Sequence, residues 1–455
     1  MIASATTPNR PALQELLDSV ETGCTDCGIC VTDCAFLRRY GTPKTIADSF
    51  AASDRASLSR PFECSLCGLC TAVCQERLDL ENLFLEMRRE AVERGFGHFP
   101  EHAPLLNYEH LGISRRFTLY RLPAGCSSIF FPGCALSGTR PEGVSTVFSL
   151  LQKANPALGI VFDCCLKPSH SLGRERYATA MFAEMRNYLL EQGVKEVLVG
   201  CPNCQIMFES FGQGLAVRTV YEVLEESALP LKKATGSVTV HDPCVIRNAE
   251  PVQQAVRTLL QRQGLTVEEM PHSGKTTLCC GLGGGVKLLA PDLAKEVAAR
   301  RKNEAQGRRI ITYCAGCVEA LAPHTPTSHL LDLLFAPEQT LAGKVKGTAA
   351  PFTFLNRLRL KKRFKTMEGS AMLRERTFTA EEGQKKNRSW KPLIFLVLLP
   401  ACVAFIVFSS SLLGLLRGKL SPTALLGIAL MVAVTLLPVF YRRYKSRIHE
   451  KAVTE

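Results

Sequence analysis

The stretch TLCCGLGGGVK, residues 277–287, sets Cys279 and Cys280 side by side ahead of a run of glycines. A disulfide between the two is a poor reading. Neighbouring Cα atoms lie ~3.8 Å apart across a trans peptide, and a disulfide usually spans ~4.4–6.8 Å. Outward from the pair, Cys244 stands in VTVHDPCVIRN, and Cys314 and Cys317 stand in RIITYCAGC. The same order occurs earlier, with Cys134 in IFFPGCALSG, Cys164 and Cys165 in IVFDCCLKPSHSLG, and Cys201 and Cys204 in EVLVGCPNC. The spacings are C-x29-CC-x35-CxxC and C-x34-CC-x33-CxxC, so a five-cysteine set is duplicated.

Most of these cysteines end a short apolar run rich in β-formers: SIFF, GIVF, EVLV, SVTV and RIIT. Helical stretches such as RYATAMFAEMRNYLLEQG and APDLAKEVAARRKNEAQG lie between them. Strand–helix alternation predicts parallel α/β units, whose ligands gather at the carboxyl ends of the strands. All five thiols of each copy can then meet at one sheet edge. Gly281, Gly283, Gly284 and Gly285 are expected to let backbone approach a bound cluster and to offer N–H groups to its sulfides. Five thiolates are one more than a cubane needs, and an adjacent pair can serve two irons.

Two further motifs stand near the N-terminus. CTDCGICVTDC gives Cys24, Cys27, Cys30 and Cys34, and CSLCGLCTAVC gives Cys64, Cys67, Cys70 and Cys74. Both read C-x2-C-x2-C-x3-C, the bacterial ferredoxin run for [4Fe–4S] clusters, in which the fourth cysteine often serves the other cluster. Gly28 and Gly68 give each loop room to turn. The proline that usually follows the fourth cysteine is absent, Ala35 and Gln75 standing there instead. Zinc sites favour paired knuckles over three closely spaced thiols. RRYGTPKTIADSFAAS and LDLENLFLEMRREAVERG read as helices, so a mostly α-helical two-cluster domain is expected.

There are 20 cysteines in 455 residues, a chain too long to need disulfide staples. The opening segment shows neither the basic start nor the apolar core of an export signal. Free thiols in a reducing compartment are therefore expected. Of the net charge of +13, residues 344–391 carry +10 and the tail 442–455 carries +3. The body before residue 344 is nearly neutral, which argues against nucleic acid as a partner.

Residues 392–416 and 420–441 are free of charged side chains, and each is long enough for a bilayer, which takes ~20 apolar residues. Their interior prolines, Pro400 and Pro438, are tolerated in such spans. Basic clusters, RLRLKKRFK (357–365) and RRYKSR (442–447), flank the pair, while the short loop holds only Arg417 and Lys419. The positive-inside rule predicts a hairpin with both ends in the cytoplasm, anchored at Trp390 and Tyr441. Neither span has a histidine for a b-type haem. The basic run 357–365 is read as a lipid-binding or solvated linker.

The motifs CCGLGGG, HDPC and FPGC resemble those of the CCG-domain (cysteine-rich domain) family. That family occurs in the B and D subunits of heterodisulfide reductases and in the iron–sulfur subunits of anaerobic glycerol-3-phosphate dehydrogenase and of glycolate and lactate oxidases. The resemblance covers roughly residues 20–325, in the order of the fused D-type subunit. It implies a non-cubane [4Fe–4S] cluster on each complete set: one on Cys134, Cys164, Cys165, Cys201 and Cys204, the other on Cys244, Cys279, Cys280, Cys314 and Cys317. In the heterodisulfide reductases two such clusters face each other and split a substrate disulfide. Here Leu166 replaces the glycine of the first CCG, while Pro168 and Gly173, also typical of the family, are retained.

Other residues have plainer readings. PHSGKTT (271–277) is like a phosphate loop, but Glu269 stands where that pattern needs glycine. Lys275 could attract an anion or be a solvated lysine. His241 is a candidate proton donor to a leaving thiolate, a structural histidine being the alternative, and His170 is a weaker candidate for the same role. Cys126 reads as a small buried residue, and Cys402 as apolar filler in the first span.

The expected architecture is an α-helical two-cluster ferredoxin domain (1–100), a linker (101–125) and two tandem α/β CCG domains (126–235 and 236–343) related by a pseudo-two-fold repeat. A basic linker (344–391), a C-terminal transmembrane helical hairpin (392–441) and a cytoplasmic tail (442–455) follow. The expected cofactors are two cubane and two non-cubane [4Fe–4S] clusters, with no flavin, NAD or haem site. The expected function is a membrane-anchored, heterodisulfide reductase-like oxidoreductase that reduces a small disulfide. It would sit at the inner membrane with its clusters facing the cytoplasm and a b-type cytochrome or flavoprotein as partner. The alternative is an electron-transfer and anchor subunit of a flavin dehydrogenase acting on glycerol-3-phosphate, lactate or glycolate and feeding quinone.

Overall fold

In a computed structural model, residues 8–227 and 230–380 are described. The expected β-rich runs become strands: β1 (Leu119–Pro123), β2 (Ser128–Phe131), β3 (Gly159–Phe162), β4 (Glu196–Val199), β5 (Ala216–Thr219), β6 (Ser237–Val240), β7 (Thr266–Val267), β8 (Arg309–Thr312), β9 (Thr327–His329) and β10 (Ala371–Arg374). They form two sheets, in the orders β10-β1-β3-β2-β4-β5 and β7-β6-β8-β9. β2 to β5 run parallel to one another, as do β6 to β9. The order β3-β2-β4-β5 repeats as β7-β6-β8-β9, the duplication seen in the cysteines.

Alternation in the strands decides what each face covers. Ile129, Phe131, Val161, Val197 and Val199 enter one apolar cluster under the first sheet. Phe130, Ile160, Phe162 and Leu198 point to the opposite face, where they share a core with Val238, Val240, Ile311 and Tyr313 of the second sheet. The two α/β units are thus joined through a continuous apolar core.

The N-terminal part is helical. Helix Pro11–Gly23 turns Leu13, Leu17 and Val20 inward, and helix Leu80–Glu93 turns Leu80, Leu83, Phe84 and Met87 toward them. The segment between the two motifs forms the short helices Ala35–Tyr40 and Pro43–Asp48, with Pro43 at a first helical position and Thr42 capping.

Two expected linkers are folded where they are described. Residues 101–125 contain helix Ala103–Gly112 and β1, which pairs antiparallel to β3. Within 344–391, residues 352–365 form the helix Phe352–Lys365, and β10 adds to β1 as an antiparallel edge strand. The basic run 357–365 is therefore not a free linker. Its buried face is Thr353, Asn356, Arg357, Leu360 and Phe364, at helical spacing. Among the described residues no helix is long and apolar enough to cross a membrane. The expected spans 392–416 and 420–441, with Cys402, Trp390 and Tyr441, lie outside the described residues.

Candidate metal centres

Each ferredoxin-type loop turns at a glycine in the left-handed region, Gly28 (φ 73°) and Gly68 (φ 69°). The fourth cysteine of each motif crosses over. One cavity is lined by Cys24, Cys27, Cys30 and Cys74, the other by Cys34, Cys64, Cys67 and Cys70. Burial pushes the Cys30 thiol up to about 11 and Cys64 up to about 12. Such thiols stay protonated at neutral pH unless a cation takes the proton's place. Cys27 is exposed whereas Cys64 and Cys70 are buried, so the first cavity is the outer one. Cys279 also lines the inner cavity, which therefore borders the second five-cysteine set.

Those five thiols converge as parallel topology requires. β2 leads to Cys134, β3 to Cys164 and Cys165, and β4 to Cys201, which caps helix Pro202–Phe211. β6 leads to Cys244 and β8 to Cys314, the cap of helix Ala315–Leu321. Gly133 holds φ 78°, and a Cβ there would sit 2.9 Å from Cys204 Sγ. Any larger residue would part the thiols.

The thiols adjoin one another in one series: Cys134, Cys164, Cys165, Cys204, Cys201, Cys314, Cys317, Cys280, Cys279, Cys244. Read from either end, it has the same order of motif elements, which is what a pseudo-two-fold repeat produces. Cys165 accepts from Cys164 and Cys204, which brings its thiol down to about 6. Cys279, accepting from Cys244 and Cys280, and Cys314, accepting from Cys201 and Cys317, are held well below the ordinary thiol value. Buried sulfur donors without oxygen ligands among them make a soft set that suits zinc, copper(I) or iron–sulfur centres. Five per set exceeds the four of a tetrahedral zinc site. The residues present fit iron–sulfur centres.

Several expected residues take other roles. Gly281 N–H does donate to Cys279 Sγ, at 3.2 Å. Gly283 and Gly284 instead face the ferredoxin-type loop: a Cβ on them would meet Ser65 O at 2.5 Å and Cys64 O at 2.7 Å. Gly285 faces His102. The glycine run thus lets two backbones meet, more than it cradles sulfides. Leu166 holds φ 62°, the left-handed conformation that Gly281 adopts in the second copy, and its side chain is 0% exposed in the apolar cluster under the first sheet. The leucine is accommodated by packing and does not displace the thiols.

His241 is 0% exposed, with both ring nitrogens unpartnered and a nitrogen within 4.8 Å of the Cys280 and Cys317 sulfurs. Burial pulls its pKa down to about 3, so the expectation of a histidine titrating near neutrality is corrected: the imidazole is neutral there. His170 lies against Phe211 and Arg89, neither of them a thiol residue. The phosphate-loop-like stretch is structural. Gly274 N–H and the Thr277 hydroxyl both donate to Asp242, which also binds Arg257 and Tyr313 just before Cys244. Lys275 is exposed. Cys126 is buried, donates to Ser128 O and stands outside the thiol series.

Sequence reading missed the buried cations. Arg88 is 0% exposed and donates to the carbonyls of Pro61, Cys64, Ser171 and Gly284. Its signal was present, since it lies on the same helical face as Leu80, Phe84 and Ala91. Arg247 reaches back from the second α/β unit to Cys67 O, at 3.0 Å from Nε. Lys167, half-buried, lies within electrostatic reach of Glu81 and of Cys165 and Cys244, one thiol from each set.

The comparisons with known proteins agree with this geometry. Residues 23–79 match the model of a 4Fe-4S dicluster domain, and residues 128–209 and 238–322 each match that of the cysteine-rich CCG domain. The B subunit of the CoM/CoB fumarate reductase of Methanothermobacter marburgensis is 23% identical over 329 residues, 65% of this chain and 66% of that protein. The chain thus spans just under two thirds of that relative. The D subunit of the dihydromethanophenazine:CoB–CoM heterodisulfide reductase of Methanosarcina mazei is 24% identical over 66% of this chain and 87% of its own length. The glycolate oxidase iron-sulfur subunit of Escherichia coli is 27% identical over 30% of this chain and 38% of its own. The chain thus joins a 4Fe-4S dicluster domain to a tandem of cysteine-rich CCG domains.

Proposed function

We propose that this chain is a membrane-anchored iron–sulfur oxidoreductase of the heterodisulfide reductase type, which reduces a small disulfide where its two five-cysteine sets meet. The observation that carries the reading is the unbroken thiol series, in which Cys201 of the first set stands beside Cys314 of the second. Two complete sets at one junction suit a reaction that handles two sulfur atoms at once. Cys24, Cys27, Cys30 and Cys74 would hold one cubane, and Cys34, Cys64, Cys67 and Cys70 another. Each five-cysteine set would hold a non-cubane cluster. When bound, the clusters would supply one-electron storage and iron soft enough to take sulfur.

The net reaction breaks one S–S bond and consumes two electrons and two protons, giving two thiols. The chain's own residues prepare the place. Lys167, within electrostatic reach of thiols of both sets, would hold an anionic group of the substrate. His241 would donate one N–H from its neutral ring to sulfur near Cys280 and Cys317. The crossed ferredoxin loops fix the inner cavity against Cys279. Anchoring rests on the uncharged runs 392–416 and 420–441, with a b-type cytochrome or flavoprotein as redox partner.

The alternative, an electron-transfer subunit of a flavin dehydrogenase, is favoured by the likeness to the glycolate oxidase iron-sulfur subunit. Metal analysis of anaerobically purified full chain, with EPR before and after thiol or disulfide is added, separates the two. About 16 irons, four clusters of four, with a thiol-dependent signal supports the disulfide reaction. About 8 irons and no such signal leaves only the dicluster domain's clusters and ends the proposal. Retention in the membrane fraction after carbonate washing tests the anchor.

A further inference from the structure

The C-terminal segment brings an unpaired cation to the first cysteine set. Arg357, on helix Phe352–Lys365, is 5% exposed. Its guanidinium lies over the rings of Phe117 (4.9 Å) and Tyr108 (5.2 Å), and its Nη1 has no hydrogen-bond partner. Among the described residues it makes no ion pair. Gly112 opens the approach on the other side: a Cβ there would lie 3.3 Å from Arg357 Nη2 and 3.4 Å from Cys164 Cβ.

Neighbouring contacts hold this arrangement. Tyr108, under the guanidinium, donates its hydroxyl to Cys134 O at 3.1 Å. Asn356 donates to Gly138 O at 2.9 Å, one turn beyond Cys134. Phe354 packs on both Tyr108 and Phe117. Further on, Arg376 pairs with Asp163, whose Oδ1 accepts from the Cys164 N–H at 2.7 Å. The second set differs. One cation near it, Arg301, comes from the domain's own helix Pro291–Ala305 and already pairs with Glu304.

A buried guanidinium without an anion is strongly unfavourable, and rings offset only part of that cost. A metal–thiolate centre on five cysteines would carry the missing negative charge. We propose that Arg357 is the counter-charge of the metal centre at the first set, so that loading this centre docks helix Phe352–Lys365, the element leading toward the uncharged C-terminal runs. The inference rests on the reading that the first set holds an iron–sulfur centre.

The test uses the full chain, purified anaerobically, as wild type, Arg357→Met and Arg357→Lys. Chelator challenge, an EPR redox titration and hydrogen exchange over residues 352–365 are the readouts. Arg357→Met is expected to lose iron from one centre about tenfold faster or more, the usual scale for a group supporting metal ligands. The midpoint potential of that centre should fall, because removing a buried positive charge disfavours the reduced form. Arg357→Lys should recover most of both. In wild type, removing the metal should release exchange protection over 352–365. Unchanged iron retention and potential in Arg357→Met overturn the proposal. So does equal protection of the helix with and without metal, a comparison that stands even if the methionine variant fails to fold. If Cys134→Ser leaves the wild-type iron count unchanged, the iron reading of the first set fails instead.

Discussion

Cys201 and Cys314 stand thiol beside thiol across the boundary between the two cysteine-rich domains. Each lies just before a helix, Pro202–Phe211 and Ala315–Leu321, which follows a parallel strand. The contact turns two five-cysteine sets into one continuous sulfur site. Tyr221 reinforces it, donating to Gly200 O at 3.0 Å and sharing Tyr313 O at 3.1 Å.

Because the sets meet there, Cys314→Ala should weaken metal retention at both sets. Cys126→Ala removes a thiol that is equally buried yet outside the series. It should leave iron unchanged and lower stability by about 1 kcal/mol, as a small cavity does. Iron per chain and thermal melting of the two variants check this.

The crossed fourth cysteines make a pairwise prediction. Cys24→Ala with Cys74→Ala should lose no more iron than either alone, about four atoms, because both line one cavity. Cys24→Ala with Cys34→Ala should lose about eight, one cluster from each cavity. Equal losses in the two double variants would contradict the crossing.

Arg88→Met keeps the length of the side chain but leaves the carbonyls of Pro61, Cys64, Ser171 and Gly284 without their shared donor. Hydrogen bonds to a charged group contribute about 1.5–3 kcal/mol each, and desolvation of the guanidinium opposes part of that. A net loss of about 3 kcal/mol is expected, seen as a lower melting temperature and earlier proteolysis between the helical domain and the glycine run.

Leu166→Gly has two opposing effects. Relief of the left-handed backbone returns about 1–2 kcal/mol. Removing a leucine that is 0% exposed leaves a cavity and should cost more than the typical Leu→Ala change of about 2–5 kcal/mol. The cavity wins, so the variant should melt lower while keeping its iron. Raised stability would mean that the φ of 62° is the larger strain.

Glu375 is held down to about 2 by hydrogen bonds from Lys365 and Lys361, which tie the end of helix Phe352–Lys365 to the segment after β10. A depressed carboxyl adds stability above its unfolded value, near ~4.3, and loses it as pH falls toward 2. The difference in urea midpoint between wild type and Glu375→Gln should therefore be present at about pH 6 and shrink below about pH 4.

The sequence by itself determined the cysteine inventory and the α/β repeat. Cysteine spacing is covalent, and the runs SIFF, GIVF, EVLV, SVTV and RIIT alternate with helices at lengths only parallel units suit. Tertiary structure decided which cysteine joins which site, since Cys34 and Cys74 exchange partners through folding of loops far apart in sequence. It also decided that Gly283 and Gly284 meet the ferredoxin-type loop, and that Arg357 faces a sulfur site. Helical periodicity placed Thr353, Asn356, Arg357, Leu360 and Phe364 on one face. It carries no information about what covers that face. The physical reason is that a charged run is read from sequence as solvated, whereas a single arginine in it is buried when packing supplies aromatic rings.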